Sequence, residues 1–263
     1  MLSEKRRSGV GARVLQVKNP GMEREKQLAE FAQRLQQAAG SNLVSAILYG
    51  SAASDEFHQG YSDLNVLCVL RDTSATALRQ ISPAITWWIK QRNPAPVLLA
   101  ANELPRDAEM FAIEMLDIKR HHRVLAGDDV FATLEIPLRI HRIQLEHELR
   151  TKLQLLRQQY AAANDRQAIE LMANSISGFI ALFRHALLAM GTEPPHGRTN
   201  VVNVIAQKIG FEAAPFTRVL QLRRHEIRTR DLDAHGTFAA YASAIEKVVA
   251  AVTALPYSSE LCG

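Results

Sequence analysis

The chain has 263 residues, of which 47% are apolar and 22% charged, with a formal net charge of +4 at pH 7. That length and apolar share can bury a substantial core in one large or two small domains, and they exclude large-scale disorder. No uninterrupted apolar run approaches the roughly 18 to 20 residues of a membrane helix and no apolar leader opens the chain, which points away from a membrane and toward the cytoplasm.

The two cysteines, Cys68 in an apolar run and Cys262 in the tail, offer neither a metal-ligand spacing nor a convincing disulfide pair. A pI near 9.2 suits anionic partners such as nucleotide or RNA. Arg and Glu alternate along the helical stretches, however, so a solvated surface is the favoured explanation of the charge.

In chain order, residues 1–22 read as a loose arm containing the basic run Lys5-Arg6-Arg7, with Met22 as an alternative start. Apolar spacing predicts a helix over 23–39, with Leu28, Phe31, Leu35 and Ala38 on one face and Gly40 as its stop. A strand over 44–49 ends in Gly50-Ser51, a polar turn follows, and a second strand covers 64–70. The next helix, 74–91, turns Leu78, Ile81, Ile85, Trp88 and Ile89 inward, with Trp87 at the rim. Pro94 and Pro96 then introduce a third strand over 97–101. The stretch 110–118 reads as a strand or a short helix, and a basic link at 119–123 leads to Gly127. This alternation fits a small mixed sheet covered by helices on one face.

A boundary near Pro137 divides a sheet domain, 23–137, from an all-helical domain, 138–263, and makes the chain α+β. Leu145, Leu149, Leu153, Leu156 and Tyr160 recur at helical spacing, as do Ile169, Met172, Ile176, Phe179, Phe183 and Leu187. Gly191 and Pro194-Pro195 end the second of these helices. A third starts at a Thr199 cap and ends at Gly210, and two more cover about 214–225 and 237–255. The last turns Phe238, Tyr241, Ile245, Val248, Val252 and Leu255 inward. His141, His147 and His185 fall on these helices without acids at ligand spacing, so core or interfacial roles suit them best.

The segment 43–70, LVSAILYGSAASDEFHQGYSDLNVLCVL, gathers small donors and acids at one sheet end. A glycine permits close backbone approach, a serine hydroxyl meets phosphate oxygens, and carboxylates are hard ligands for Mg2+. An ordinary strand-ending turn, with Asp63 capping it, is the plain alternative. The segment resembles the DNA polymerase β-type nucleotidyltransferase superfamily, whose signature is a strand ending in Gly-Ser and then Asp-x-Asp on the next strand. Here Gly50-Ser51 is followed by Asp63-Leu64-Asn65, so a neutral amide stands at the second acid. The helix, Gly turn, Pro pair and helix around Phe183-Arg-His-Ala-Leu-Leu-Ala-Met-Gly191 and Pro194-Pro195 resemble the aminoglycoside nucleotidyltransferases.

The resemblance implies that Gly50 and Ser51 hold the triphosphate of an NTP, ATP above all, and that Asp63 and Asn65 hold Mg2+. It also implies a third acid on a later strand, which the third strand of this chain lacks; Pro96 is the nearest match by position. Glu114 and Asp117 are the candidates, with Glu114 preferred as ligand. If 110–118 is a strand, Glu114 is buried beside Leu116, opposite Phe111, Ile113 and Met115, and needs a metal or a basic partner. Salt bridges to Lys119, Arg120 or Arg123 are the plain alternative.

The basic link itself reads as a phosphate-steering element or a solvated loop, and Asp55, Glu56 and His58 read as solvated. The implied activity moves a nucleoside monophosphate from an NTP to a hydroxyl on a small molecule, protein or RNA. Because Asn65 adds no charge against the phosphates, attenuated transfer is expected, and a nucleotide-binding or regulatory protein of the same fold is the alternative. Arg230 and His235 also match the Arg-x4-His spacing of helical HEPN-type ribonucleases, although Gly236 and two aspartates there suit an interhelical turn.

Overall fold

The structure is a computed structural model in which residues 20–53 and 63–256 are described. Helix α1 (Pro20–Ala39) leads into strand β1 (Leu43–Tyr49), and β2 (Asn65–Leu70) returns beside it. Helix α2 (Ala75–Lys90) then crosses over to β3 (Val97–Ala100), and α3 (Leu104–Met110) and α4 (Ala112–Arg120) lead to β4 (His122–Gly127). The strand order is β3-β2-β1-β4. β1 is antiparallel to both its neighbours and β2 is parallel to β3, a pairing that requires the crossover α2 provides.

Alternate residues of β1 and β2 enter two cores. Ala46, Leu48, Val66, Cys68 and Leu70 meet Leu28, Phe31, Leu35, Ile81 and Trp88 of α1 and α2. Ile47, Leu67 and Val69 meet Leu104, Ala108, Met115 and Ile118 of α3 and α4, with Phe131 and Leu134. The sheet is therefore covered on both faces, not one, and for that reason β2 reads as a continuous apolar run. Burial pushes the Cys68 thiol up to about 12, so it is inert packing.

α2 is capped by the Ser74 hydroxyl, which accepts from the Ala77 amide at 3.3 Å. Trp88 is fully buried, donates to the Pro94 carbonyl at 2.8 Å and lies 4.5 Å from the Phe31 ring. Trp87 is half-buried under the Arg34 guanidinium, 4.8 Å from its ring centroid. Ile89, expected inward, is 47% exposed, because it lies one helical step beyond the Ile81, Ala84, Trp88 stripe.

The stretch 110–118 is helical. Leu104, Ala108, Ala112, Met115 and Ile118 are the buried stripe, and their spacing of three and four continues from α3 into α4. The break at Phe111 is held from the next helix, since the Gln144 amide donates to the carbonyls of Glu109 and Met110 at 2.8 and 2.7 Å. Its oxygen accepts from the Ile113 amide at 3.4 Å.

α5 (Leu138–Tyr160), α6 (Asp165–Ala189), α7 (Arg198–Ile209), α8 (Ala214–Arg223) and α9 (Ala234–Thr253) enclose a third core. α6 is long and apolar enough to cross a membrane by length and composition, yet half of its most apolar window is buried. Its polar residues interrupt the run, so no uninterrupted apolar stretch marks it. α7 starts at Arg198 behind Gly197, which places Thr199 inside the first turn. α9 starts at Ala234 because the Asp233 side chain caps it, accepting from the Gly236 amide at 3.1 Å, so His235 and Gly236 are helical. At the other end of the chain, α1 takes in Pro20 to Met22, which the sequence assigns to the arm; residues 1–19 lie outside the described residues.

Gly127 closes the edge of the sheet at φ +79°, where a Cβ would stand 2.1 Å from the Val44 carbonyl oxygen. Both the left-handed backbone and the contact exclude a side chain. Gly127→Ala is expected to destabilise the protein by roughly 2–4 kcal/mol in urea unfolding. A loss below about 0.5 kcal/mol would show that this edge relaxes freely.

Candidate active site

β1 ends at Tyr49, which is paired with Asn65 on one side and His122 on the other. Gly50 then turns the chain at φ +78° into the short 3-10 turn Gly50–Ala52, and the Ala53 amide closes it on the Gly50 carbonyl at 3.0 Å. A Cβ on Gly50 would approach the Asn65 amide nitrogen to 3.3 Å, so the Asn65 side chain lies against the glycine turn. Its carbonyl oxygen is then the end turned away from that glycine. Leu64 and Val66 are buried in the core toward α1 and α2, and alternation assigns Asn65 to the opposite face, with Leu67. Asp63, just before the strand, is exposed. The Ser51 side chain and residues 54–62, with Asp55, Glu56 and His58, lie outside the described residues.

Glu114 does not sit on a strand. It occupies the first turn of α4 and is exposed, so it needs neither a cation nor a metal to be tolerated. It stands about 9 Å back along the helix from Arg120, the end that feeds β4. Pro96 is buried just before β3 and brings no acid. Among the described residues, no group of three or more His, Cys, Asp or Glu side chains is arranged to hold a metal.

The basic link is neither a free phosphate clamp nor a solvated loop. It forms the last turn of α4 and the start of β4, and its cations are engaged. Lys119 donates to the Leu134 carbonyl at 2.6 Å, Arg120 pairs with Glu193, and Arg123 grips Glu25 with two bonds of 3.0 Å. His122 turns both ring nitrogens to oxygen, the Lys119 carbonyl at 3.2 Å and Asp129 at 3.0 Å.

Asp117 pairs with a histidine of the bundle, not with the link. The His185 Nε2 lies 3.2 Å from its carboxylate, and the His185 Nδ1 lies 2.9 Å from Nε2 of His141. With His185 donating to Asp117, its Nδ1 accepts from His141 Nε2–H, which leaves the His141 Nδ1 buried and without a partner among the described residues. Both rings are 1% exposed, the interfacial role their place on apolar stripes suggests. Nothing in the sequence pairs them with Asp117, because three different helices meet there. This chain joins the layer over the sheet to α5 and α6, close to where α4 delivers β4 to the Gly50 end.

A small mixed four-stranded sheet followed by a helical region matches the nucleotidyltransferase fold, and in it the half-buried Gly50 turn lies beside Asn65, the first residue of β2, with Asp63 just before that strand. Among solved structures, the chain is similar to the crystal structure of the spectinomycin adenyltransferase AAD(9) from Enterococcus faecialis with ATP and spectinomycin. The TM-score is 0.51 at 14% identity, over 84% of this chain and 99% of that one. At that identity the likeness is one of fold. No protein-family model matches the chain, and no curated protein matches it.

Burial holds the His141 imidazole down to about 4, reinforced by the neighbouring His185 and partly offset by Asp117. A folded-state value below the ordinary 6.5 means that the unfolded chain binds the proton first. Stability tied to neutral His141 is thus complete above about pH 6.5 and is lost as pH falls toward 4, on the order of 3 kcal/mol. In His141→Gln the slope of unfolding free energy against pH in that window should flatten by about one proton. An unchanged slope in urea titrations would remove His141 as its source.

Proposed function

We propose that the protein is a nucleotidyltransferase that binds an NTP, with ATP the favoured donor, at the Gly50 end of the sheet and transfers its nucleoside monophosphate to a hydroxyl. The observation that carries this reading is the left-handed Gly50 turn closing β1 against Asn65, with Asp63 exposed alongside, in a fold shared with an adenyltransferase. The acceptor is a small molecule, consistent with the neighbour's spectinomycin.

Backbone amides at Gly50 and Ser51 and the serine hydroxyl would meet phosphate oxygens, since the glycine leaves the turn open to close approach. Asp63 with the Asn65 carbonyl oxygen fits one Mg2+ completed by phosphates and water, because Mg2+ commonly needs only one or two carboxylates from the protein. When bound, that ion would supply charge neutralisation across the phosphates. A second ion lacks its carboxylates among the described residues. Glu114, on an exposed helical turn, takes no part in this reading. The Asn65 amide and the missing third acid also favour a second reading, a nucleotide-binding protein of the same fold that has lost transfer.

The two readings separate by experiment. Titration calorimetry with a non-hydrolysable ATP analogue should show Mg2+-dependent binding that Asp63→Ala weakens at least about tenfold, with little change in thermal midpoint because Asp63 is exposed. Asn65→Asp should tighten binding and raise Mg2+-dependent transfer to spectinomycin by about tenfold or more if the site is attenuated. Tighter binding without transfer would support the binding protein. Absence of binding by folded wild-type protein would sink both.

A further inference from the structure

At the far end of α5, three titratable side chains from three helices form a chain that the nucleotide site does not use. Tyr160 ends α5, Asp165 opens α6 and His235 stands in the first turn of α9. Tyr160 Oη is 2.6 Å from His235 Nδ1, and His235 Nε2 is 3.1 Å from Asp165 Oδ1. The carboxylate can only accept, so it fixes the proton on Nε2 and leaves the Nδ1 lone pair facing the phenol. We propose that Tyr160 is a covalent acylation site, a phenol nucleophile that His235 deprotonates and Asp165 holds in line, directed at a neutral ester or thioester carbonyl.

The order nucleophile, imidazole, carboxylate is the arrangement that activates a hydroxyl at neutral pH. The Tyr160 ring stacks on Phe238 with centroids 3.5 Å and planes 3° apart, which fixes the direction of the oxygen. His235 is 56% and Asp165 82% exposed and Tyr160 is half-buried, so the three side chains lie at the surface of the bundle. Phenolate developing there lies near the positive ends of α6 and α9, which offset the opposing negative end of α5 that carries Tyr160.

Tyr49 and Tyr241 are the contrast: burial raises both phenols, and Tyr241 is fixed against the Ser175 hydroxyl. His235 is bonded to Tyr160 and Asp165, and Arg230 lies in the 3-10 turn Thr229–Asp231 that precedes α9. The Asp165 charge disfavours a polyanionic donor, which leaves a neutral carbonyl as the fitting electrophile.

In the step, the Tyr160 oxygen bonds to the carbonyl carbon and the bond from that carbon to the alkoxide or thiolate breaks. The phenolic proton passes to His235 Nδ1 and then to the leaving group. The site lies about 30 Å along α5 from its first turns, which contact the sheet layer, so it acts independently of the nucleotide site.

The full chain is treated with p-nitrophenyl acetate, and acetyl groups are mapped and timed by mass spectrometry against N-acetyltyrosine amide. Tyr160 should be acetylated at least about tenfold faster than the free phenol near neutral pH, and His235→Gln should remove at least that factor. Asp165→Asn should lower the rate through the tautomer and Asp165→Glu should restore part of it, which a merely structural tie would not do. Acetylation of Tyr160 no faster than the free phenol, unaffected by His235→Gln, or found on His235 in its place, would overturn the proposal. The first comparison needs only wild-type protein, so it decides even if a variant fails to fold.

Discussion

The pairing of β1 with β2 and β4 is the constraint on which the candidate site depends. Tyr49 stands opposite Asn65 on one side and His122 on the other, so the chain leaves the sheet at Gly50 with Asn65 directly beside it. A one-residue slip of β2 would carry Asn65 to the α1 and α2 face and bring Leu64 and Val66 out, at the cost of the whole buried alternation. The registers at the two edges of β1 each contain an irregularity near its start, between Leu43 and Ser45 and between Ala46 and Ile47, and both run regularly toward Tyr49. The end that bears the candidate site is thus the regular one.

The helical layer over the second face is joined to the bundle by polar groups as well as by packing. Gln144 satisfies the backbone at the α3–α4 break, and the Asp117, His185, His141 chain connects α4 to α5 and α6. Groups of this kind cost much when broken, because a buried donor or acceptor loses its partner without regaining water. The surface pairs, such as Arg34 with Glu30 and Arg166 with Glu170, contribute little by comparison. The same logic accounts for the basic link. Its charges serve neighbouring elements, and the surplus of positive charge in the composition does not become a binding surface there.

Much of the fold was legible because apolar periodicity is local. The stripes of α1, α5 and α6, and the buried run of β2, stand in the sequence as they stand in the core. The stretch 110–118 stayed open between strand and short helix, because nine residues are too few to tell a period of two from one of 3.6, and only the continuation from Leu104 resolves it as helix. Ile89 and the start of α9 depended on which neighbour covers a face and on the Asp233 cap. The one-sided sheet was misjudged because a strand buried on both faces has no alternation to read.

At the candidate site the sequence by itself determined the glycine turn and the Asn65 amide beside it, because both are statements about residue type at adjoining strand ends. It determined as well that the second half is helical, since that pattern repeats over many turns. Only the tertiary structure decided that Glu114 is an exposed helical residue, that Asp117 pairs with His185 and His141, and that Tyr160, Asp165 and His235 meet. Those contacts join residues between 44 and 75 positions apart on different helices. Their geometry follows from how whole helices pack, which no local propensity encodes.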